Sequence, residues 1–387
     1  MPRPPTRETA AAPAPAALAS GALDSAKRGL LAKVMTVASG HVLGYGLAWA
    51  AAPLLTRLYP PESFGYFAIF VICLSSLGTI ATLRFDQALP LVRQGRQAVV
   101  MIGFGLAAAI GCGLIAWATM PVVALLASGA GAPAPPEGFG VLMAVGCVLL
   151  SLYCLLGGWL VRAQDYAGLS RMRIAYAVGS LASQVLLPIC LGSVAMGLGC
   201  GQVVGYGAGV LAALAMARRD WPATPGRLGR RVRVLLRRHR QYPVYATQSA
   251  FVSNLTVYSP AILLAWLYGP IAAGHYALAM RLLVTPMSML SHAFSRVVYG
   301  EAVREGGSPA AVERLFWKTL RHEAMIAGPP LLIAAPVSLY AFGDVFGADW
   351  VDAGAYFAIL SPMLLLYVGS YSVAPVLDVL HPPRSRS

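Results

Sequence analysis

The chain is poor in charge. Only 11% of its 387 residues are charged, where soluble domains carry roughly 25%. Acidic side chains are the scarcest, with 15 Asp and Glu against 29 Lys and Arg. No apolar run carries a carboxylate near its centre; Asp86, Glu323 and Asp378 all stand close to ends. A pump driven by cations or protons usually needs an intramembrane carboxylate, so this absence counts against such coupling. A glycine loop followed by Lys-Ser/Thr is also missing, which argues against nucleotide hydrolysis. No Ser/His/Asp constellation emerges, and no connecting segment on the outer side is long enough for a catalytic domain, so an enzyme is not expected. The six cysteines, Cys73, Cys112, Cys147, Cys154, Cys190 and Cys200, fall inside apolar runs without metal-ligand spacing. They read as small buried hydrophobes. His41, His275 and His292 are isolated, and neither a metal nor a cofactor is expected.

What the chain does have is apolar length. Hydrophobic residues make up 58% of it, and the mean hydropathy is +0.67. A soluble fold has no means of covering that much apolar surface, so the class is an all-α, polytopic transmembrane helix bundle. The net charge of +14 suggests nucleic acid only if it forms a basic face with stacking aromatics. Here the positive residues lie between apolar runs, and no nucleic-acid partner is expected.

Ten spans of about 20 residues are legible, near 34–56, 64–83, 98–120, 139–161, 174–191, 194–217, 244–268, 271–295, 324–342 and 355–380. The segments 1–33, 84–97, 162–173, 218–241, 296–323 and 381–387 hold 27 of the 29 basic residues. By the positive-inside rule both termini are cytoplasmic, and a bacterial inner membrane is the expected location. The organisation expected is a disordered tail (1–30), a six-helix lobe (31–217), a basic linker (218–241), a four-helix lobe (242–380) and a short tail (381–387). The linker's charges serve topology, or else bind anionic lipid headgroups.

Two stretches repeat. LTRLYPPESFGYFAI (55–69) and LAWLYGPIAAGHYAL (264–278) share Leu55/Leu264, Leu58/Leu267, Tyr59/Tyr268, Pro61/Pro270, Gly65/Gly274 and Ala68/Ala277 at one offset of 209 residues. Each is an apolar run that ends on an aromatic, turns at proline and re-enters through glycine, as two spans joined by an interfacial turn would. The offset crosses an even number of spans, so the two lobes are expected to be like-oriented about an axis along the membrane normal. The counterpart of the sixth span would then end near position 426, so the second lobe runs short by about two helices of ~20 residues. A truncated reading frame is the expectation. Gly197, Gly201, Gly205 and Gly209 repeat every four residues, a spacing that suits close helix packing within a lobe or, alternatively, dimerisation. Pro286 is expected to bend the eighth span, and Pro329 and Pro330 the ninth.

Arg281 is the clearest polar candidate. It lies about ten residues into its span, hence near mid-bilayer at about 1.5 Å per residue. An arginine there costs roughly 2.5–3.5 kcal/mol on insertion scales. It should face a wet cavity, or else pair with a carbonyl or with a polar residue such as Gln248. Arg84 and Asp86 either line the inner mouth or form an ordinary interfacial pair. Asn254, the only asparagine, is a cavity residue or an interhelical hydrogen-bond donor. A cationic lining favours an anionic substrate.

Several segments carry a resemblance. APLLTRLYPPESFGYFAIF with TLRFDQALPLV, then WLVRAQDYAGLSRMR, then RQYPVYATQSAFVSNLTVYSPAILLAWLYGPIAAGHYALAMRLLVTPMSML with VVYGEAVREG, resemble bacterial polysaccharide or O-antigen flippases. These belong to the multidrug/oligosaccharidyl-lipid/polysaccharide exporter superfamily. The resemblance covers most of residues 34–378. It implies two bundles of six helices about a V-shaped cavity, and alternating access that moves a polyprenyl-diphosphate-linked oligosaccharide between leaflets. In it Arg84 and Asp86 match an Arg-aromatic-acidic stretch, Tyr242-Pro243 the start of the second lobe, and Arg281 the basic position after Tyr-Ala-Leu-Ala. The expected partners are that lipid-linked oligosaccharide, membrane lipids and other polysaccharide-assembly membrane proteins. The alternatives are a drug or small-solute exporter of the same fold, a membrane glycan polymerase or ligase, and an inactive remnant.

Overall fold

The computed structural model describes residues 44, 46–92, 94–129, 136–191, 196–217, 247–304 and 309–363. The expected tails, the basic linker 218–241 and Tyr242-Pro243 lie outside the described residues. Those described are helical throughout, apart from short turns. A helical turn at 46–50 leads into α1 (Ala52–Leu58), followed by α2 (Pro61–Ala81), the short α3 (Phe85–Ala88), α4 (Gly95–Gly129), α5 (Phe139–Arg162), α6 (Tyr166–Leu191) and α7 (Gly197–Ala217). A helical stretch from Thr247 to Arg304 breaks at Gly269, where φ is 85° and ψ 175°. It gives α8 (247–268) and α9 (270–304). α10 (Pro309–Phe346) and α11 (351–363) complete the set.

Local chemistry explains the boundaries. α2 opens with Pro61 in its first turn and Glu62 beside it, a fixed φ and a negative charge where each favours a helix start. Asp165 caps α6 by accepting from the Gly168 N–H at 2.8 Å. Gly269 supplies a positive φ that only glycine adopts without penalty.

Among the described residues, seven helical stretches are long and apolar enough to cross a membrane. One of them, Thr247–Met287, is divided at Gly269 and accounts for two expected spans. The first and tenth expected spans are described only in part. Much of the expected inner segment 296–323 is itself helical, because α9 continues to Arg304 and α10 starts at Pro309. Glu313, Arg314, Lys318 and Arg321 are good helix formers, so charge here marks helix that extends beyond the apolar layer.

Pro286, Pro329 and Pro330 all lie inside helices, as the expected bends require, and the one residue of 247–304 with non-helical backbone angles is Gly269. A proline has no N–H for the carbonyl four residues earlier, and at four sites another donor takes that carbonyl. Trp49 Nε1 donates to Leu282 O at 3.3 Å, below Pro286. Tyr59 donates its hydroxyl to Gln184 O at 2.8 Å, below Pro188. Trp350 Nε1 donates to Thr56 O at 3.1 Å, below Pro60. Ser259 does the same for Thr256 O at 3.0 Å, below Pro260.

α1–α7 form one lobe and α8–α11 the described part of the other. They meet along α2 and α9. A Cβ at Gly65 would collide with the carbonyl of Pro270, and one at Gly274 with the carbonyl of Pro61. Since 65/274 and 61/270 are the paired positions of the sequence repeat, the contact is the same on both sides of a pseudo-twofold. Around it one apolar core crosses the seam, with Leu55, Tyr59 and Phe64 on one side and Leu278, Leu283, Phe346 and Trp350 on the other. Phe64 and Trp350 meet edge to face at 4.8 Å, a favoured aromatic geometry.

The glycine stripe of α7 packs inside its own lobe. A Cβ at Gly205 would lie 2.9 Å from Tyr176 O, and at Gly209 3.2 Å from Met172 O, both on α6. Small residues here let the two backbones close up.

Candidate functional site

Arg281 stands eleven residues into α9, about 16 Å along the axis at 1.5 Å per residue. It is half-buried in the seam between the lobes. Its Nη2 donates to Ala48 O at 3.2 Å, beside the Trp49–Leu282 bond. Among the described residues this bond uses one of five guanidinium N–H donors, and it ties the group to the first lobe. The Tyr176 hydroxyl lies within electrostatic reach of it.

Tyr176 belongs to a cluster drawn from three helices. Its ring stacks on Tyr206 of α7 at 4.9 Å and 26°. Tyr153 of α5 tilts against both, at 5.4 Å from Tyr176 and 5.6 Å from Tyr206. Gln202 Nε2 donates to the Tyr206 hydroxyl at 3.1 Å. Each ring is half-buried. Counted along their helices, the three lie about 14–17 Å from the ends at Arg162, Tyr166 and Ala217. Arg281 is about 16 Å from the opposite, proline-turn end, so in a hydrocarbon core of about 30 Å all four fall near the middle. Arg173, one turn before Tyr176 on α6, is also half-buried.

Arg84 and Asp86 sit where α2 gives way to α3. Leu83 and Arg84 both take positive φ, 50° and 55°, a conformation that side-chain-bearing residues adopt at a cost and that clusters at functional sites. The strained turn carries both groups inward, and both are half-buried. Arg84 Nε and Asp86 Oδ1 are buried and have no hydrogen-bond partner among the described residues. Burial pushes the Asp86 carboxyl above its ordinary value, and the nearby Arg84 guanidinium offsets part of that rise. A Cβ at Gly158 would approach the Asp86 carbonyl to 2.6 Å, so only glycine lets α3 seat this closely on α5. Cys154 lies within electrostatic reach of Asp86, Arg84 and Tyr206. Arg84 and Asp86 therefore connect, through Cys154, to the tyrosines and on to Arg281.

The remaining candidates lie apart from that track. Asn254 bridges the lobes by donating from Nδ2 to Thr79 Oγ1 at 3.0 Å and to Ser75 O at 3.4 Å. Gln248 is exposed in the first turn of α8, and among the described residues no hydrogen bond joins it to Arg281. No group of three or more His, Cys, Asp or Glu is placed to hold a metal among the described residues.

The sequence profile of a family described as "Polysaccharide biosynthesis protein" matches residues 54–355. The chain belongs to that family. Two solved structures share the fold of this polysaccharide biosynthesis protein. One is described as the inward-facing conformation of a multidrug resistance MATE family transporter of the MOP superfamily. It has a TM-score of 0.60 and 12% identity, over 89% of this chain and 82% of that one. The other is a MOP superfamily transporter from Pyrococcus furiosus, described as having a binding pocket of reversed polarity. It has a TM-score of 0.50 and 13% identity, over 90% and 84%. None of the curated proteins matches the chain. At such identities the likeness concerns the fold, which is that of a multi-pass membrane transporter.

The residues that sequence reasoning passed over in this family member are Tyr153, Tyr176, Tyr206, Gln202 and Arg173. A signal for the tyrosines was present, since tyrosine favours the membrane interface and these three stand at mid-span. Arg173 was counted among topology-setting charges, although α6 carries it inside the lobe.

Proposed function

We propose that this protein is an exporter that carries a polyprenyl-diphosphate-linked oligosaccharide across the bacterial cytoplasmic membrane by alternating access, for cell-surface polysaccharide assembly. The observation that carries this reading is the half-buried Arg281, at mid-depth between the lobes and bonded among the described residues to one carbonyl, that of Ala48, in a geometry that suits a diphosphate. A guanidinium binds phosphate oxygens through two parallel N–H bonds, which an ammonium cannot match. Family membership and the transporter fold support a carrier rather than an enzyme.

The distribution of basic residues supports one orientation. Arg84, Arg96, Arg162, Arg171, Arg173, Lys318 and Arg321 lie toward the end opposite the two proline turns, whereas Arg57 lies at the proline-turn end. By the positive-inside rule the first end is cytoplasmic. The proline-turn end, sealed by the Gly65/Pro270 and Gly274/Pro61 contacts, is then the outer one. Cargo enters from the inside past Arg84 and Asp86, rests with its diphosphate at Arg281, and leaves once the outer seam parts. The lipid tail stays in the bilayer throughout.

The test is export of surface glycan in cells lacking their own flippase and supplied with this chain. Arg281→Ala should abolish export, and Arg281→Lys should retain a small part of it, because charge survives and the fork is lost. Undiminished export by the alanine variant, with equal protein in the membrane, would remove Arg281 from the mechanism. Drug resistance without glycan export would instead favour a small-solute exporter.

A further inference from the structure

Placing a diphosphate at Arg281 decides what lies beside it. In a lipid-linked oligosaccharide the first sugar is bonded directly to the diphosphate, so side chains around the guanidinium meet that sugar. Tyr176 of the three-ring cluster is within electrostatic reach of Arg281. We propose that Tyr153, Tyr176 and Tyr206 form a shelf that receives the first sugar ring of the cargo while Arg281 holds its diphosphate. The inference rests on the export reading and adds a recognition element to it.

Three features point to a binding surface rather than to packing alone. The rings come from three different helices yet converge on one another, with Tyr176 within electrostatic reach of Arg281. Every one of them is half-buried, so each has surface left after its contacts with the others. Tyr176 and Tyr206 stack on one another, which engages one face of each ring. Sugar rings present one face of C–H bonds, which suits the negative face of an aromatic ring. Their hydroxyls suit the polar edge of the cluster. Gln202 donates to the Tyr206 hydroxyl, and the Tyr176 hydroxyl is within hydrogen-bonding reach of Tyr206. A row of exchangeable donors and acceptors thus runs from Gln202 toward Arg281. A packing role alone would be met by phenylalanine or leucine, without phenols in the middle of the membrane.

The experiment uses the full-length protein in lipid nanodiscs with two probes, undecaprenyl diphosphate and undecaprenyl-diphosphate N-acetylglucosamine. Dissociation constants are measured for the wild type, Tyr176→Leu, Tyr176→Phe, Tyr153→Leu and Arg281→Ala. The wild type should bind the sugar-bearing lipid more tightly than the bare one, by about two- to tenfold for aromatic contact. Tyr176→Leu and Tyr153→Leu should each shrink that ratio, and an unfolding midpoint close to the wild-type value shows that each variant is folded. Tyr176→Phe should keep most of the ratio. Arg281→Ala should weaken both probes. A ratio near one in the wild type, or a wild-type ratio in both leucine variants, would overturn the shelf and leave the export reading standing. Binding of neither lipid by the wild type would overturn both.

Discussion

Gly65 and Pro270 touch backbone to backbone across the lobe seam, and Gly274 and Pro61 repeat the contact with the roles exchanged. A single methyl group at either glycine has nowhere to go, because the atom it meets is a carbonyl oxygen and not a movable side chain. Gly65→Ala and Gly274→Ala should each wedge the proline-turn ends apart, at a cost of about 1–3 kcal/mol for overpacking. Once one methyl has separated the backbones, the second meets less resistance. The double variant should therefore cost less than the two single variants together, as expected for sites that share one interface. Thermal unfolding in detergent, followed by tryptophan fluorescence, measures all three. Unchanged midpoints for the single variants would mean that the seam is looser than this contact implies.

The second seam element is a tryptophan on a carbonyl that proline has freed. Trp350 donates to Thr56 O, and its ring lies edge to face with Phe64 and 5.8 Å from His275. Trp350→Phe keeps an aromatic ring against Phe64 and removes only the N–H. The loss of about 0.5–1.5 kcal/mol falls on the sealed form alone, if the two lobes separate here during transport. The form open at this end should then gain about two- to tenfold in population. Spin labels at the exposed positions Leu54 and Tyr340, in a background without the six native cysteines, report the distance between the lobes. A distribution identical to that of the unsubstituted protein would show that this bond does not govern the opening.

Much of the architecture could be read from local signals. The repeat at an offset of 209 was legible because glycine, proline and tyrosine are strong punctuation in an apolar chain, and the same positions turned out to form the seam. The basic segment 296–323 showed in the sequence as a gap between apolar runs, and its helical state did not, because Glu313, Arg314, Lys318 and Arg321 prolong a helix where no apolar periodicity marks it. The depth of Arg281 followed from counting residues. Its partner did not, since Ala48 offers only a backbone oxygen, and a carbonyl leaves no trace in residue type. The tyrosine cluster depends on how α5, α6 and α7 rotate against one another. With 17 tyrosines in the chain, only their mid-span depth separated these three from interface anchors. The proline rule names which carbonyl is orphaned, but the arrival of Trp49 or Trp350 from another part of the chain is tertiary information.

Asp86 gives the protein a pH dependence whose sign can be worked out. Its carboxyl is pushed up by burial, and Arg84 only partly compensates. The folded state therefore binds this proton more tightly than the unfolded chain does. Stability from that group is fully present below the ordinary carboxylate value, and is lost as pH rises through the raised one. Asp86→Asn mimics the protonated form at every pH. Below the ordinary carboxylate value the variant and the unsubstituted protein should unfold at similar temperatures. From there upward the variant should become the more stable of the two, with the gap levelling off above the raised value. If Arg84 needs the negative charge to stay seated on its strained turn, the order at neutral pH reverses. Thermal midpoints measured from about pH 3 to pH 8 for both proteins, with Arg84→Gln as a third, separate these outcomes. A gap that opens in favour of Asp86→Asn shows that burial outweighs the Arg84 charge at the inner mouth. The neutral carboxyl is then the resting form over the lower part of that range, and the positive charge of Arg84 stands uncompensated for an incoming diphosphate.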